Sequence, residues 1–159
     1  MNGNAGNDTL MASGGYSYVN GGQGDDVIYT EGNYSSVNGS IGSDTIVVAA
    51  SDVTVDGGIN FDFLPVPDKI SLGSNVEDIL IKNFVYADTL DLSEYNVNEL
   101  SAGKYQNTSL EIWSRKTRKT IAVLEDVTGG AEKIFSARVT TVYSSPSASI
   151  GFWQTLRRL

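Results

Sequence analysis

The chain has 159 residues, no cysteine, no histidine, and 19 acidic against 11 basic residues, for a formal net charge of −8. That length allows one domain, or one small domain with an appendage. The missing residue types exclude zinc sites, thiol nucleophiles, disulfide frameworks and imidazole acid–base chemistry, and the charge disfavours nucleic acid while suiting hard cations that take oxygen ligands.

The amino terminus, Met1-Asn2-Gly3-Asn4, lacks the basic and apolar regions of a signal peptide and runs almost directly into a repeat. We therefore expect a piece of a longer polypeptide, with Met1 a start residue added for expression. No apolar run reaches the roughly 18 residues of a membrane-spanning helix. The lack of cysteine suits a protein exported unfolded by bacteria.

Residues 3–65 divide into seven nonapeptides without a slip in register. The odd units open with glycine-rich hexapeptides: GNAGND (3–8), GGQGDD (21–26), GSIGSD (39–44) and GGINFD (57–62). Their closing aspartates, Asp8, Asp26, Asp44 and Asp62, lie 18 residues apart, and an apolar residue follows each at two positions' distance: Leu10, Ile28, Ile46 and Leu64. The even units (12–20, 30–38, 48–56) hold Ser17, Ser35 and Val53 at the aspartate position but keep the apolar residue as Val19, Val37 and Val55. A fixed period of two unlike halves implies a solenoid in which each coil covers its neighbour.

One nonapeptide follows from simple physics. Glycine permits a tight turn with carbonyls aimed at a centre, and the last three residues make a short strand whose middle side chain points inward. The leucine–isoleucine row and the valine row should meet as a thin core. At about 25 cal/mol per Å² of apolar area, one such side chain per strand is a weak return for ordering glycine-rich turns. Aspartates aligned along one edge repel one another unless a cation lies between them, which points to calcium.

After Pro65 the composition changes. Phe63–Leu72 (FLPVPDKISL) and Phe84–Ser93 (FVYADTLDLS) resemble each other: an aromatic, a short turn, an aspartate, then alternating apolar residues. Ser109–Ser114 and Thr120–Leu124 read as a hairpin around a basic tip, Arg115–Lys119. Ile134–Tyr143 reads as a further strand and Asn96–Ala102 as a helical turn, while the tail 145–159 shows no pattern.

The 3–65 stretch resembles the RTX, or haemolysin-type, calcium-binding nonapeptide repeats of proteins exported by bacterial type I systems. Their pattern is Gly-Gly-x-Gly-x-Asp-x-apolar-x, which GGQGDDVIY (21–29) meets at every fixed position. Asn4 and Ser40 replace the second glycine of their units, and Asn60 the third glycine of the last. The resemblance implies an all-β fold: a parallel β-roll, a right-handed solenoid with 18 residues per coil over 3–65. A β-rich C-terminal cap over 66–144 and the tail 145–159, of unknown role, would follow. It also implies about three Ca²⁺ sandwiched between same-side turns, at the loop pairs ending Asp8/Asp26, Asp26/Asp44 and Asp44/Asp62, each with about six oxygens. Carried over by position, the ligand set is Gly3, Ala5, Gly6, Asn7 and Asp8; Gly21, Gly22, Gln23, Gly24, Asp25 and Asp26; Gly39, Ser40, Ile41, Gly42, Ser43 and Asp44; and Gly57, Gly58, Asn60 and Asp62. Of these, Asn7, Asp25 and Ser43 could add carbonyls.

The even units lack carboxylates, so calcium is expected on one edge only. The other edge, carrying Tyr16, Tyr34, Ser17, Ser35 and Asn33, should rely on hydrogen bonds and tyrosine packing. A phosphate-cradling loop would need a lysine and a following helix, and no EF-hand loop is present. Asp68, Glu77, Asp88 and Glu94 could supply a carboxylate pair, but no spacing singles one out, so an enzyme is not expected.

The reading is a calcium-binding module of a secreted, extracellular or cell-surface bacterial protein, folding on calcium after export. Two alternatives remain. One is a polysaccharide-binding accessory module, since the repeats followed by Asp-x-Ile-x-Leu are similar to those of alginate epimerases. Arg115, Lys116, Arg118, Lys119 and Trp113 would then contact an acidic glycan. The other is a structural piece of an adhesin or surface-layer protein.

Overall fold

The computed structural model describes residues 1–58, 66–85, 87–105, 109–125 and 138–140. Fourteen strands are present among them: β1 Asn2–Ala5, β2 Thr9–Ala12, β3 Tyr18–Gln23, β4 Val27–Thr30, β5 Ser36–Ile41, β6 Thr45–Val48, β7 Thr54–Asp56, β8 Lys69–Leu72, β9 Ile79–Lys82, β10 Thr89–Asp91, β11 Leu100–Tyr105, β12 Ser109–Ser114, β13 Thr120–Leu124 and β14 Arg138–Thr140. One sheet has the order β1-β3-β5-β7-β9-β13-β12-β11 and the other β14-β10-β8-β6-β4-β2. The chain alternates between them, so every pairing is parallel except in the β11–β12–β13 meander. This is the parallel β-roll expected from the repeat.

The register is that of the sequence period. Val19 lies beside Val37 and Val37 beside Val55, while Leu10 lies beside Ile28 and Ile28 beside Ile46. Side chains alternate across a strand, so one row per sheet turns inward. Val19, Val37, Val55, Ile28 and Ile46 are all buried, and Leu10 in the outermost coil is half-buried.

The roll does not end at residue 65. Ile70 of β8 lies beside Ile46, and Leu90 of β10 beside Ile70, while Ile81 of β9 lies beside Val55 and Leu124 of β13 beside Ile81. The assignment of 66–144 to a separate cap is therefore corrected. Asp-x-Ile-x-Leu (68–72) and Asp-x-Leu-x-Leu (88–92) are further strand halves of the same solenoid, reached through turns of other lengths. Only β11–β13 have the antiparallel character of a cap, and β12–β13 are the expected hairpin. β14, Arg138–Thr140, falls within the strand expected at 134–143, the rest of which lies outside the described residues, and the expected helical turn is one 3₁₀ turn, Val97–Glu99, capped by the Asn96 side chain. The tail 145–159 lies outside the described residues.

The core is unevenly filled. Phe84, Ile70, Leu72, Ile79, Ile81, Leu90, Leu92, Ile112 and Leu124 are fully buried in the later coils, whereas the first coil buries only Ala12 and Val19 among its apolar residues, the second Ile28 and Val37, and the third Ile46, Val48, Ala50, Val53 and Val55. At about 25 cal/mol per Å² of apolar area, the later coils carry most of the hydrophobic stabilisation. The glycine–aspartate coils project from that body.

Candidate metal centre

The aspartates form a continuous ladder along one edge. Each carboxylate accepts, through Oδ1, the backbone N–H of the aspartate one coil earlier: Asp8 N–H to Asp26 at 2.8 Å, Asp26 N–H to Asp44 at 2.8 Å, Asp44 N–H to Asp68 at 2.8 Å and Asp68 N–H to Asp88 at 3.0 Å. Asn60, Asp62 and Leu64 lie outside the described residues. The places expected for Asp62 beside Asp44 and for Leu64 beside Ile46 are held by Asp68 and Ile70. The loop from Gly57 to Asp68 is six residues longer than its predecessors, since Asp68 follows Asp44 by 24 positions and Asp44 follows Asp26 by 18. The signal that could have located Asp68 was the repeated Asp-x-apolar-x-apolar half-unit rather than the spacing.

The second carboxylate oxygens carry the chemistry. Oδ2 of Asp8, Asp26 and Asp44 is buried without a hydrogen-bond partner. Each faces the first glycine of its own hexapeptide, Gly3, Gly21 or Gly39, where a Cβ would fall closer than 3.0 Å to that Oδ2 and to a carbonyl oxygen of the next coil. Those carbonyls belong to Gly21, Gly39 and Gly57. Three oxygen-lined cradles therefore repeat at one-coil intervals: Asp8 with Gly21, Asp26 with Gly39, and Asp44 with Gly57. Burying an anionic oxygen unpaired is costly, and three such oxygens in register beside carbonyls form a hard-cation donor set. Among the described residues no three acidic side chains converge, so each cradle sets one carboxylate beside one glycine carbonyl.

Electrostatics agree. Burial pushes the Asp44 carboxyl up to about 6, with the charges of Asp26 and Asp25 adding to it and the Asp26 N–H opposing. Burial pushes Asp68 up to about 8, reinforced by Asp88, Asp44 and Asp56. Burial also raises Asp88, to about 6. Asp88 differs from the carboxylates above it because its Oδ2 accepts the N–H of Val85 at 2.8 Å, so its own turn satisfies it.

The other site residues find distinct places. Asn7, Asp25 and Ser43 form a second ladder, with Asp25 N–H on Asn7 Oδ1 at 3.0 Å and Ser43 N–H on Asp25 Oδ1 at 2.9 Å, while Ser43 Oγ donates to the Pro67 carbonyl. The carbonyls of Gln23 and Ile41 accept the N–H of Gly6 and Gly24 at 2.7 and 2.8 Å, and Ala5 lies in register with Gln23. Gly22, Gly42 and Gly58 have φ of 113°, 143° and 127°, and a Cβ there would strike the carbonyl of Asn4, Gly24 or Ser40. Left-handed backbone pressed against the previous coil favours glycine, although Asn4 and Ser40 hold the position equivalent to Gly22 and Gly58 at φ of 74° and 80°.

The opposite edge is built differently. Ser17 N–H donates to Ser35 Oγ at 3.1 Å and Ser51 N–H to Asn33 Oδ1 at 3.0 Å. Tyr16 and Tyr34 stack with centroids 5.1 Å apart and planes 17° apart. Among the described residues no aspartate ladder runs here, and Val53 ends the serine row inside the core.

The basic hairpin tip is not an unopposed cationic surface. Lys119 pairs with Glu77 at 2.7 Å, Arg115 Nε donates to Ser101 Oγ at 2.6 Å, and Lys116 and Lys119 share a cleft of about 220 Å³ with Glu77, Glu94 and Glu99. Trp113 packs its ring against Gly103, where a Cβ would come within 3.1 Å of it. Arg118 has φ 59° just after the turn.

No curated protein and no solved structure matches the chain. Residues 2–34 match the family model of the RTX calcium-binding nonapeptide repeat, in 4 copies, which supports a calcium-binding module.

Proposed function

We propose that this chain is a calcium-ordered module of a secreted protein, with three ions held along one edge of the roll and folding coupled to their binding after export. The observation that carries this reading is the set of three buried, unpartnered Oδ2 atoms, each facing a glycine carbonyl of the next coil. A divalent cation would supply the positive charge these oxygens lack. The residues that would hold it are Asp8, Asp26 and Asp44 with the carbonyls of Gly21, Gly39 and Gly57, and Asp68 closes the last coil in place of Asp62. Chain order serves this arrangement: the Oδ1 hydrogen bonds fix each carboxylate so that Oδ2 alone faces the cradle.

The thin core of the first coils makes their folding depend on that charge neutralisation. At low calcium the ladder repels itself and the coils stay loose enough for export. At the millimolar calcium outside cells, binding adds its free energy to the folded state. Circular dichroism of the full chain with calcium and with chelator tests the coupling, and a calorimetric titration counts the ions. Three sites with a gain of strand signal are expected. A strand signal indifferent to chelation refutes the coupling, and six tight sites refute the single edge.

A further inference from the structure

The three Asn-Gly dipeptides of the chain all fall in the same place. Asn2-Gly3, Asn20-Gly21 and Asn38-Gly39 open successive coils, and the fourth coil opens with Asp56-Gly57. The glycine is imposed by the cradle, since a Cβ at Gly3, Gly21 or Gly39 would fill the space between the carboxylate and the next coil's carbonyl. An asparagine followed by glycine is the dipeptide most prone to deamidation, because no side chain hinders attack by the glycine nitrogen. The fold thus sets its most labile side-chain amides directly beside its candidate cation donors.

We infer that Asn20 and Asn38 are calcium-gated deamidation sites, so that time spent without calcium is recorded as covalent damage at the cradles. The backbone N of Gly21 attacks Cγ of Asn20; the new C–N bond forms as the Cγ–Nδ2 bond breaks, and the amide leaves as ammonia with the glycine N–H proton. Water then opens the cyclic imide at either carbonyl, giving aspartate or isoaspartate. One water enters, one ammonia departs, and no oxidant is needed.

In the folded roll this attack is blocked. Asn20 sits in β3 between Asn2 and Asn38, with extended backbone held in register on both sides. The imide ring needs the glycine nitrogen to fold back on the side chain, which the strand forbids. The Oδ1 atoms of Asn20 and Asn38 are buried but take no hydrogen bond, so strand geometry alone protects them. Loss of the strand removes that protection.

The two products differ in consequence. Aspartate fits this row, since Asp56 Oδ1 accepts the N–H of Gly58 at 3.0 Å and Nδ2 of Asn83 at 2.9 Å. Isoaspartate adds a methylene to the backbone immediately before Gly21 or Gly39, whose carbonyls face Asp8 and Asp26. It shifts the register and moves a donor out of its cradle. The damaged coil no longer rebuilds its site.

This rests on the proposed calcium-coupled folding, and the test separates the two. The full chain is incubated at mildly alkaline pH with saturating calcium or with chelator, followed by circular dichroism, peptide mass mapping and an isoaspartyl methylation assay. Deamidation at Asn20 and Asn38 is expected to be at least about tenfold slower with calcium, because binding depletes the unfolded population. Chelator-aged protein should fail to regain its strand signal when calcium is restored, whereas the double variant Asn20→Ser, Asn38→Ser should regain it. A chain that calcium visibly orders but that deamidates equally in both conditions overturns the gating alone, as does aged wild type that recovers fully. A chain that calcium does not order refutes the proposed function as well. If the double variant does not fold, the wild-type rate comparison still decides.

Discussion

Replacing Asp44 by asparagine should change stability in opposite directions with and without calcium. Asp44 is almost fully buried, its Oδ1 accepts the Asp26 N–H at 2.8 Å, and its Oδ2 has no partner. Its folded pKa of about 6 against an ordinary 3.8 corresponds to about 3 kcal/mol against folding at neutral pH, or on the order of 1–2 kcal/mol once solvent screening at the roll edge is allowed for. Asparagine keeps the Oδ1 acceptor, removes the charge, and turns an N–H₂ donor toward the Gly57 carbonyl. Without calcium, Asp44→Asn should therefore be more stable by roughly 1–2 kcal/mol, a rise of several degrees in Tm for a chain of this size. With calcium the variant forfeits a site. An ion at 100 times its Kd contributes about 2.7 kcal/mol, so the order inverts and the wild type leads by roughly 1 kcal/mol or more. Thermal melts of both proteins at pH 7.5, in chelator and in millimolar calcium, check this. A variant destabilised equally in both conditions would refute the argument, because Asp44 would then act only as a hydrogen-bond acceptor.

Asp68→Ala should lower the calcium stoichiometry or weaken the last site, while Asp62→Ala leaves both unchanged; the reverse result in a calorimetric titration would restore the 18-residue spacing as the guide to the ligands. Ser35→Ala removes the acceptor of the Ser17 N–H and should cost about 1 kcal/mol with the ion count unchanged. Acidification should order the calcium-free chain. Asp68 and Asp88, at about 8 and 6, have folded values above the ordinary 3.8, so the folded state binds more protons across that range and stability falls as pH rises from about 4 to 8. Melts of calcium-free protein at pH 5 and pH 8 measure it, and greater stability at pH 8 would contradict the burial of these carboxylates.

The first coils were legible in the sequence because each requirement there has a residue signature at a fixed period. Glycine marks the crowded turn, aspartate the donor, and Leu10, Ile28 and Ile46 the inward row. Even the hydrogen bonding of the opposite edge was readable, since serine in place of aspartate at 17 and 35 removes charge while keeping a hydrogen-bonding side chain. Beyond Gly58 the spacing no longer helped. Parallel pairing constrains the strands and leaves the turns free in length, so Ile70 sits beside Ile46 across 24 residues as readily as Ile46 beside Ile28 across 18. The half-unit Asp-x-apolar-x-apolar persisted at 68–72 and 88–92 after the glycines had gone, and it is the strand, not the turn, that defines membership of the roll. The cap strands β11–β13 showed as a hairpin, but their joining to β9 is a long-range pairing with no local signature.

The ladder has a direction, and Asp88 shows why it ends where it does. Asp8, Asp26, Asp44 and Asp68 each donate their N–H to the next carboxylate of the ladder, so the arrangement of each coil is fixed by the one after it. At Asp88 the second oxygen finds Val85 N–H, so the protein itself supplies its partner. This termination coincides with the well-filled part of the core around Phe84, Leu90 and Leu92. Beside the filled core the carboxylate is satisfied internally; in the three coils before it, which bury fewer and smaller apolar side chains, three carboxylate oxygens are left facing glycine carbonyls. Core filling and unpartnered carboxylate oxygens therefore run in opposite senses along the roll. The hydrogen bonds of the ladder tie Asp44, and through it Asp26 and Asp8, to the later coils, and under the proposed function the first coils would supply the dependence on calcium.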